Sequence, residues 1–507
     1  MSKITIFNKT FIKLLLVFLF IAFLALISKA YQVNSKNVIV LTKDGFSPAG
    51  IKIKKGTTVK FVSRIGKDFW PASDLHPSHL IYSEFDPKRA LKASENWEFK
   101  FDRVGTIRYH DHINPIYRGT IIVLDENTPT FSGNFSPNYS FSECKSISGI
   151  DEKRGCYSNI LEDIILQKGP DIAFDFVKRL RDEDPGFAAE CHTIVHSLGE
   201  ISYWKYAKDK KLPKTGKISY CGFGYIHGFM QELGHHSRTF VEDVESICNH
   251  FSQKLSYEDY ERTVNPADQC YHGVGHGLAY FYVPDYYYDL TEAIGKAARD
   301  CERLTSNETS RSNCKYGIFG GIASMYVGSH GLTLSIDKDN PFKVCEAQEN
   351  SLKDACFDSM VPTLGVLWNQ DLRRLSQAFS TIDEAYMKQS FYNLGDISSR
   401  WFSMGDIKPS DVILNCRYLN KVARGSCFNG FAEGIIRNGY PLSAATDALS
   451  FCESSVLSEI ERKSCISGFI SEMKLIYPDK IKDTLTKMSA EDKTALCESQ
   501  DLGEYCN

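Results

Sequence analysis

At 507 residues the chain is long enough for roughly two to four domains. Hydrophobic residues make up 43% and charged residues 24%, an ordinary globular balance that excludes wholesale disorder, collagen-like repeats and a many-span membrane protein. Lys and Arg total 59 against 63 Asp and Glu, a formal net charge of -4, so no broad basic field draws a nucleic-acid backbone and no nucleic-acid partner is expected.

Residues 1–30 carry an export signature. Lys3, Lys9 and Lys13 precede the uncharged run LLLVFLFIAFLALI from Leu14 to Ile27, and Ser28-Lys29-Ala30 offers the small residues a signal peptidase reads. Cleavage after Ala30 releases a secreted protein. If Phe11 and Ile12 also enter the bilayer while Lys13 snorkels, the segment reaches the roughly 17 residues that span hydrocarbon and stays as a membrane anchor. Either outcome leaves the rest of the chain extracytoplasmic, where disulfides persist.

From 36 to 124 short alternating runs follow one another: Val38–Leu41, Ile51–Ile53, Val59–Phe61, Trp97–Phe101 and Thr120–Val123. Turn signals at Lys55-Gly56 and Val104-Gly105 separate them, and about seven strands in this span predict a Greek-key β-sandwich. The segment resembles the cupredoxin family, from IVLTKDGFSPAGIKIKKGTTVKFV at its start to GTIRYHDHINPIYRGTIIV at its end. The resemblance implies a metal site fed by two loops, whose blue-copper form uses a Cys, histidines and often a Met. This chain departs from that set. Asp111 falls at the thiolate position, Asn114 at the loop histidine and Tyr117 at the methionine, and residues 1–143 contain no Cys. A blue site needs the copper–thiolate bond and is not expected. Four histidines remain on the two loops: His76 and His79 in ASDLHPSHLIY, and His110 and His112 in YHDHIN. Imidazoles with a carboxylate such as Asp111 beside them suit Cu(II) or Zn(II). The alternative is that they hydrogen-bond loops in a metal-free sandwich.

Residues 125–143 are rich in Ser, Asn, Pro and Thr and read as a linker. From 144 to 507 all 16 cysteines appear, as consecutive pairs: Cys144/Cys156, Cys191/Cys221, Cys248/Cys270, Cys301/Cys314, Cys345/Cys356, Cys416/Cys427, Cys452/Cys465 and Cys497/Cys506. No C-x-x-C occurs among them, so local disulfides are favoured over metal thiolates. Aligning the second cysteine of each pair gives CGFGYIHG, CYHGVGHG, CKYGIFGG, CFNGFAEG and CISGFISE, a template C-x-x-G-x-x-[HEG]-G. Spacings near 42 to 44 residues fit α-helical repeats, predicting an all-α solenoid or toroid whose helix pairs are stapled by disulfides. Ser390-Phe-Tyr-Asn-Leu-Gly marks a unit without its cysteines. Glycines four apart leave one flat helix face for close packing.

Histidine does not follow the repeat. Nine lie between 192 and 330 and none after. His192 and His196, and His272 and His276, are four apart and so share a helix face, and His227 takes the repeat slot of His276. That slot is Gly320, Glu433 and Ser471 in later units. Helices packed about 8 to 10 Å apart bring such imidazoles within reach of one metal, zinc or another transition ion. Glu200 and Glu232 lie a turn further on as supporting carboxylates or a general base. His235, His236, His250 and His330 have no repeat partner and read as surface or packing residues. The G-x-x-H-G pattern distantly resembles the helical toroids of lanthionine cyclases, which implies a toroidal shape and carries over no residues.

The leading reading is an exported metal-binding protein for copper handling or metal-dependent redox chemistry. Two rivals stand beside it: an interaction scaffold for a protein or glycan with an inert sandwich, and a zinc hydrolase using Glu200 or Glu232. No nucleophile elbow, phosphate loop or H-E-x-x-H is present, which leaves enzyme status open.

Overall fold

The computed structural model describes residues 37–74, 79, 82–124, 141–147, 150–212, 217–254, 265–286, 289–329, 336–337, 339–418, 421–490, 493–494 and 497. The export segment, His76, His330 and Cys506 lie outside them. Among the described residues no helix is long and apolar enough to cross a membrane. The chain divides after Glu126 into two compact units.

Among the described residues the first unit has eight strands: β1 (Val38–Thr42), β2 (Gly45–Ser47), β3 (Gly50–Lys54), β4 (Thr57–Ser63), β5 (Pro71–Ser73), β6 (Asn96–Phe101), β7 (Gly105–Asp111) and β8 (Asn114–Leu124). They form two four-stranded sheets, ordered β2-β1-β4-β6 and β3-β8-β7-β5. β1 pairs in parallel with β4, and β3 with β8, so the chain changes sheet between them. Alternation then turns one face of each sheet inward. Ile39, Leu41, Val59, Phe61 and Phe101 from one sheet meet Ile53, Ile107, Tyr109, Ile121 and Val123 from the other in a single core. The Phe61 and Tyr109 rings, 5.5 Å apart edge to face, join the sheets across it. Of the strands outside the five runs named above, β2 and β5 are three residues each, too short to show an alternating pattern.

The second unit is helical. Its first half comprises α1 (Ser142–Ser146), α2 (Ile150–Lys168), α3 (Pro170–Glu183), α4 (Pro185–Asp209), α5 (Gly224–His236), α6 (Phe240–Lys254), α7 (Pro266–Tyr286), α8 (Leu290–Leu304) and α9 (Glu308–Ser329). Then come α10 (Lys343–Glu346), α11 (Asn350–Leu367), α12 (Leu372–Phe379), α13 (Glu384–Met404), α14 (Pro409–Arg417), α15 (Lys421–Asn438), α16 (Ala444–Cys452), α17 (Glu459–Ile476) and α18 (Ile481–Lys487). α1 opens at Ser142, inside the stretch read as linker. Shorter amphipathic helices form an outer layer. In α8 the Asp289 carboxylate caps the start by accepting from Glu292 N–H at 3.0 Å, and Leu290, Ala293, Ile294, Ala297 and Cys301 turn inward at helical spacing. The inner helices α4, α5, α7, α9, α11 and α13 pack side by side in that order, and α13 also packs against α4, so this run returns on itself. α5 is buried from Gly224 to His235 without interruption, as befits a helix covered on every side.

Among the described residues seven disulfides staple the unit: Cys144–Cys156, Cys191–Cys221, Cys248–Cys270, Cys301–Cys314, Cys345–Cys356, Cys416–Cys427 and Cys452–Cys465. Their Cα–Cα distances run from 5.4 to 5.7 Å, within the ordinary range. The expected partner of Cys497 lies outside the described residues. Glycines set the register between inner helices. Gly224 and Gly228 of α5 press on the carbonyls of His192 and His196, while Gly317 and Gly321 of α9 press on those of His272 and His276. The cysteine-free unit keeps this device, Gly395 of α13 lying against the carbonyl of Cys427.

Candidate metal centres

In the β-unit, β5 and β7 pair Ala72 with His110, which carries the loop after β5 to the end of β7. Ser73 anchors that loop. Its hydroxyl donates to the His79 carbonyl at 3.0 Å and accepts from Tyr82 N–H at 3.1 Å. His79 sits there with φ 55, a left-handed backbone that a non-glycine residue adopts only when its surroundings hold it. His79, His110 and His112 each offer a ring nitrogen, all within 4.8 Å of one another.

Buried carboxylates orient two of the rings. His79 Nδ1 donates to Asp86 Oδ2 at 2.6 Å, and His110 Nδ1 donates to Asp74 Oδ1 at 2.9 Å. Burial works to raise both carboxyl pKa values, yet the imidazole hydrogen bonds prevail and hold both below the usual range, with Trp70 and Lys88 adding to the effect on Asp86. An ionised carboxylate only accepts, so each Nδ1 carries a proton, and a neutral ring held this way has its lone pair on Nε2. His79 Nε2 lies 2.9 Å from His112 Nδ1. Burial lowers the pKa of His79 and His112, favouring the neutral ligand form. The Trp70 ring closes one side, 4.4 Å from His112, and its indole N–H donates to Asp86 Oδ1 at 2.8 Å.

Asp111 stands apart from this arrangement. Its carboxylate accepts from the backbone N–H of Trp70 at 2.6 Å and from those of Ile113 and Asn114, and burial raises its pKa. It therefore ties the turn together and is not in the histidine group. Tyr117 donates its hydroxyl to the Lys43 carbonyl at 3.1 Å, and Asn114 pairs with Asp111 across the turn. Asp74 and Asp86, which do hold the imidazoles, went unread in the sequence. Their signal was there: both acids flank the histidines in SDLHPSHLIYSEFD.

In the helical unit α4, α5 and α7 bring five imidazoles together. His192, His196 and His227 form one group with ligand nitrogens within 4.8 Å, and His227, His272 and His276 form a second. His227 is common to both. Its ring centroid lies 5.4 and 5.3 Å from His192 and His196, and 4.9 and 4.7 Å from His272 and His276. His192 Nδ1 donates to the Cys221 carbonyl at 2.8 Å, next to the staple, and His272 bonds the Asn313 backbone. Gln231 bonds His196 and places its Nε2 2.8 Å from His276 Nδ1. The glycine slot at 320 makes room for this cluster, since a Cβ there would stand 2.7 Å from His276 Nε2.

Burial drives all five pKa values down, to about 4 for His196 and His272 and well below the ordinary value for His192, His227 and His276. Neighbouring histidines add to this, and Arg400 of α13 adds to it at His192. The cluster is thus a set of neutral nitrogen donors. Glu200 and Glu232 belong to neither group. Glu232 instead pairs with His236 Nε2 at 3.2 Å, beside Tyr203 and Trp204. Gln231 and Arg400 were not legible in advance, Gln231 for want of a motif and Arg400 because it arrives from a helix about 200 residues away in sequence.

No family model and no curated protein matches the chain. Among solved structures it is similar to a purple cupredoxin from Nitrosopumilus maritimus, at 21% identity over 17% of this chain and 98% of that one, with a TM-score of 0.16. It is also similar to two amicyanin mutants, at 20% identity each. One covers 17% of this chain and 80% of that one with a TM-score of 0.15, and the other, a reduced Cu(I) form, covers 18% and 83% with 0.16.

Proposed function

We propose that the chain is an extracytoplasmic transition-metal protein that binds copper, or zinc in its place, through histidine-only sites, and that it handles the metal rather than running a blue-copper redox couple. One observation carries the reading: His79, His110 and His112 each offer a ring nitrogen within 4.8 Å of the others, and buried ionised Asp86 and Asp74 hold Nδ1 of the first two. Carboxylate-fixed imidazoles are the usual surroundings of a metal-bound histidine. The donor set fits Cu(II) or Zn(II), both well served by imidazole, and lacks the thiolate of a blue site. Seven disulfides support an oxidising compartment for the helical unit. The five neutral imidazoles of α4, α5 and α7 extend the same chemistry there.

Elemental analysis of the exported protein, purified without chelator, tests the reading. Copper or zinc retained through gel filtration, and lost on replacing His79 and His110 together with His272 and His276, is expected. A wild-type protein that holds neither metal, even after loading with Cu(II) or Zn(II), would overturn it.

A further inference from the structure

We infer that the helical unit holds two metal ions, not one, and that His227 bridges them as an imidazolate. This rests on the proposed metal binding and goes further by assigning nuclearity and a bridging ligand. The five donors do not form one group; they form two groups of three that share only His227. His192 and His196 lie one turn apart on α4, and His272 and His276 one turn apart on α7, so each pair serves one ion from its own helix. His227 projects from α5 between the two pairs.

The hydrogen bonds separate His227 from the other four. His192, His196 and His272 each spend one nitrogen on a protein partner, the Cys221 carbonyl, Gln231 and the Asn313 backbone, and His276 Nδ1 faces Gln231. That leaves one lone-pair nitrogen each on His192, His196 and His272, while Gln231 Nε2–H donates to His276 Nδ1, whose lone pair goes to a metal once that amide turns aside. His227 is 5% exposed and neither Nδ1 nor Nε2 has a hydrogen-bond partner. Leaving one buried polar atom without a partner costs about 1 to 3 kcal/mol. Two on one ring, in a space lined by four other imidazoles, mark a ligand that uses both nitrogens. The Gly228 backbone, pressed on the His196 carbonyl, keeps this helix close enough for the ring to reach both pairs.

The chemistry balances without an oxidant or reductant. A neutral imidazole has one nitrogen lone pair, which takes the first ion. Binding the second breaks the remaining N–H, forms the second metal–nitrogen bond and releases one proton to water. The imidazolate then supplies the single negative charge among the five donors, set between two divalent cations. Each ion has three nitrogen donors, the number that catalytic zinc sites draw from the protein. Imidazole donors without thiolate or carboxylate suit Cu(II) and Zn(II) among the first-row ions. Among the described residues no cysteine is free to reduce added Cu(II).

The test is a Cu(II) titration of full-length, metal-free protein carrying His79→Ala and His110→Ala, so that only the helical unit takes up copper. Expected are two copper ions per chain, far fewer unpaired spins by electron paramagnetic resonance than copper bound, and release of one more proton in the second step than in the first. In a His227→Gln variant each remaining copper should give its full spin signal. If that variant does not fold, His192→Ala with His196→Ala serves instead and should leave one copper at full intensity. Two coppers with undiminished spin count overturn the bridge. One copper, lost on replacing either pair, also overturns it while leaving metal binding by the helical unit intact. No copper at all overturns the bridge together with the helical part of the proposed function.

Discussion

Gly228 rests its bare Cα against the carbonyl of His196, so closely that a Cβ would stand 2.0 Å from that oxygen. The glycine of one helix thereby sets its distance from the helix carrying two candidate ligands, and it directly follows His227, a third. Packing and site geometry are one feature here. Gly228→Ala should push α5 away from α4, lowering stability by about 1 to 3 kcal/mol as overpacked substitutions do, and weakening metal uptake by the helical unit. Gly295→Ala is the control. Its Cβ would meet nothing nearer than Arg299 Nη1 at 3.5 Å, and helix propensity should gain it about 1 kcal/mol. Thermal melts of both variants decide the matter, and an unchanged Gly228→Ala melt would refute the close-packing account.

Asp86 and Asp74 should matter to metal affinity without touching the metal. Asp86→Asn replaces the charged acceptor of His79 Nδ1 with a weaker one, and Asp74→Asn does the same for His110. Each should weaken Zn(II) binding by the β-unit about 10- to 100-fold, the usual cost of losing such a partner. Competition with a chromophoric chelator measures it. Asp111→Asn, by contrast, should act on stability, because that carboxylate holds backbone N–H groups of the turn.

The sequence made the sandwich readable where strands were long enough to alternate, as at Val59 and Phe61, and silent at β2 and β5. The helix pairs and their staples were readable because a disulfide across one turn is a local event, as at Cys301 and Cys314. The histidine pairs were visible from their spacing of four. What escaped was contact between residues far apart or off any repeat. Arg400 reaches His192 only because α13 returns to α4. Asp111 fell at the thiolate position by alignment and read as a supporting carboxylate, but at the register break between His110 and Asp111, where the partners jump from Arg118 to Asn114, its carboxylate binds the backbone.

Asp358 of α11 gives the pH prediction. Burial, followed at a distance by the like charges of Asp396 and Asp354, pushes its carboxyl up to about 7, and Oδ1 has no hydrogen-bond partner. A raised acid binds its proton more tightly when folded, so its contribution is complete below the unfolded value near 3.8 and is lost as pH climbs toward about 7. Over that window the wild type should fall relative to Asp358→Asn by about 1.4 kcal/mol per pH unit, then level off. Melting temperatures of both proteins from pH 4 to 8 check it, and parallel curves would show that Asp358 ionises normally.

Copper in the β-unit should be pale. An intense blue or purple colour comes from charge transfer between a cysteine thiolate and Cu(II), and every cysteine of this chain lies beyond residue 143, with those described committed to disulfides. Three imidazoles stand together in this unit, and the carboxylate of Asp111 is occupied by the backbone of Trp70, Ile113 and Asn114. Cu(II) bound to full-length protein carrying His272→Ala and His276→Ala should therefore give weak visible absorption and the wide copper hyperfine splitting of nitrogen and oxygen ligation. His110→Ala added to that background should abolish the spectrum, because it removes one of three donors and leaves Asp74 a buried carboxylate without its imidazole. A strong band near 600 nm, roughly where thiolate charge transfer falls in blue-copper sites, would show that the ligand set has been misread.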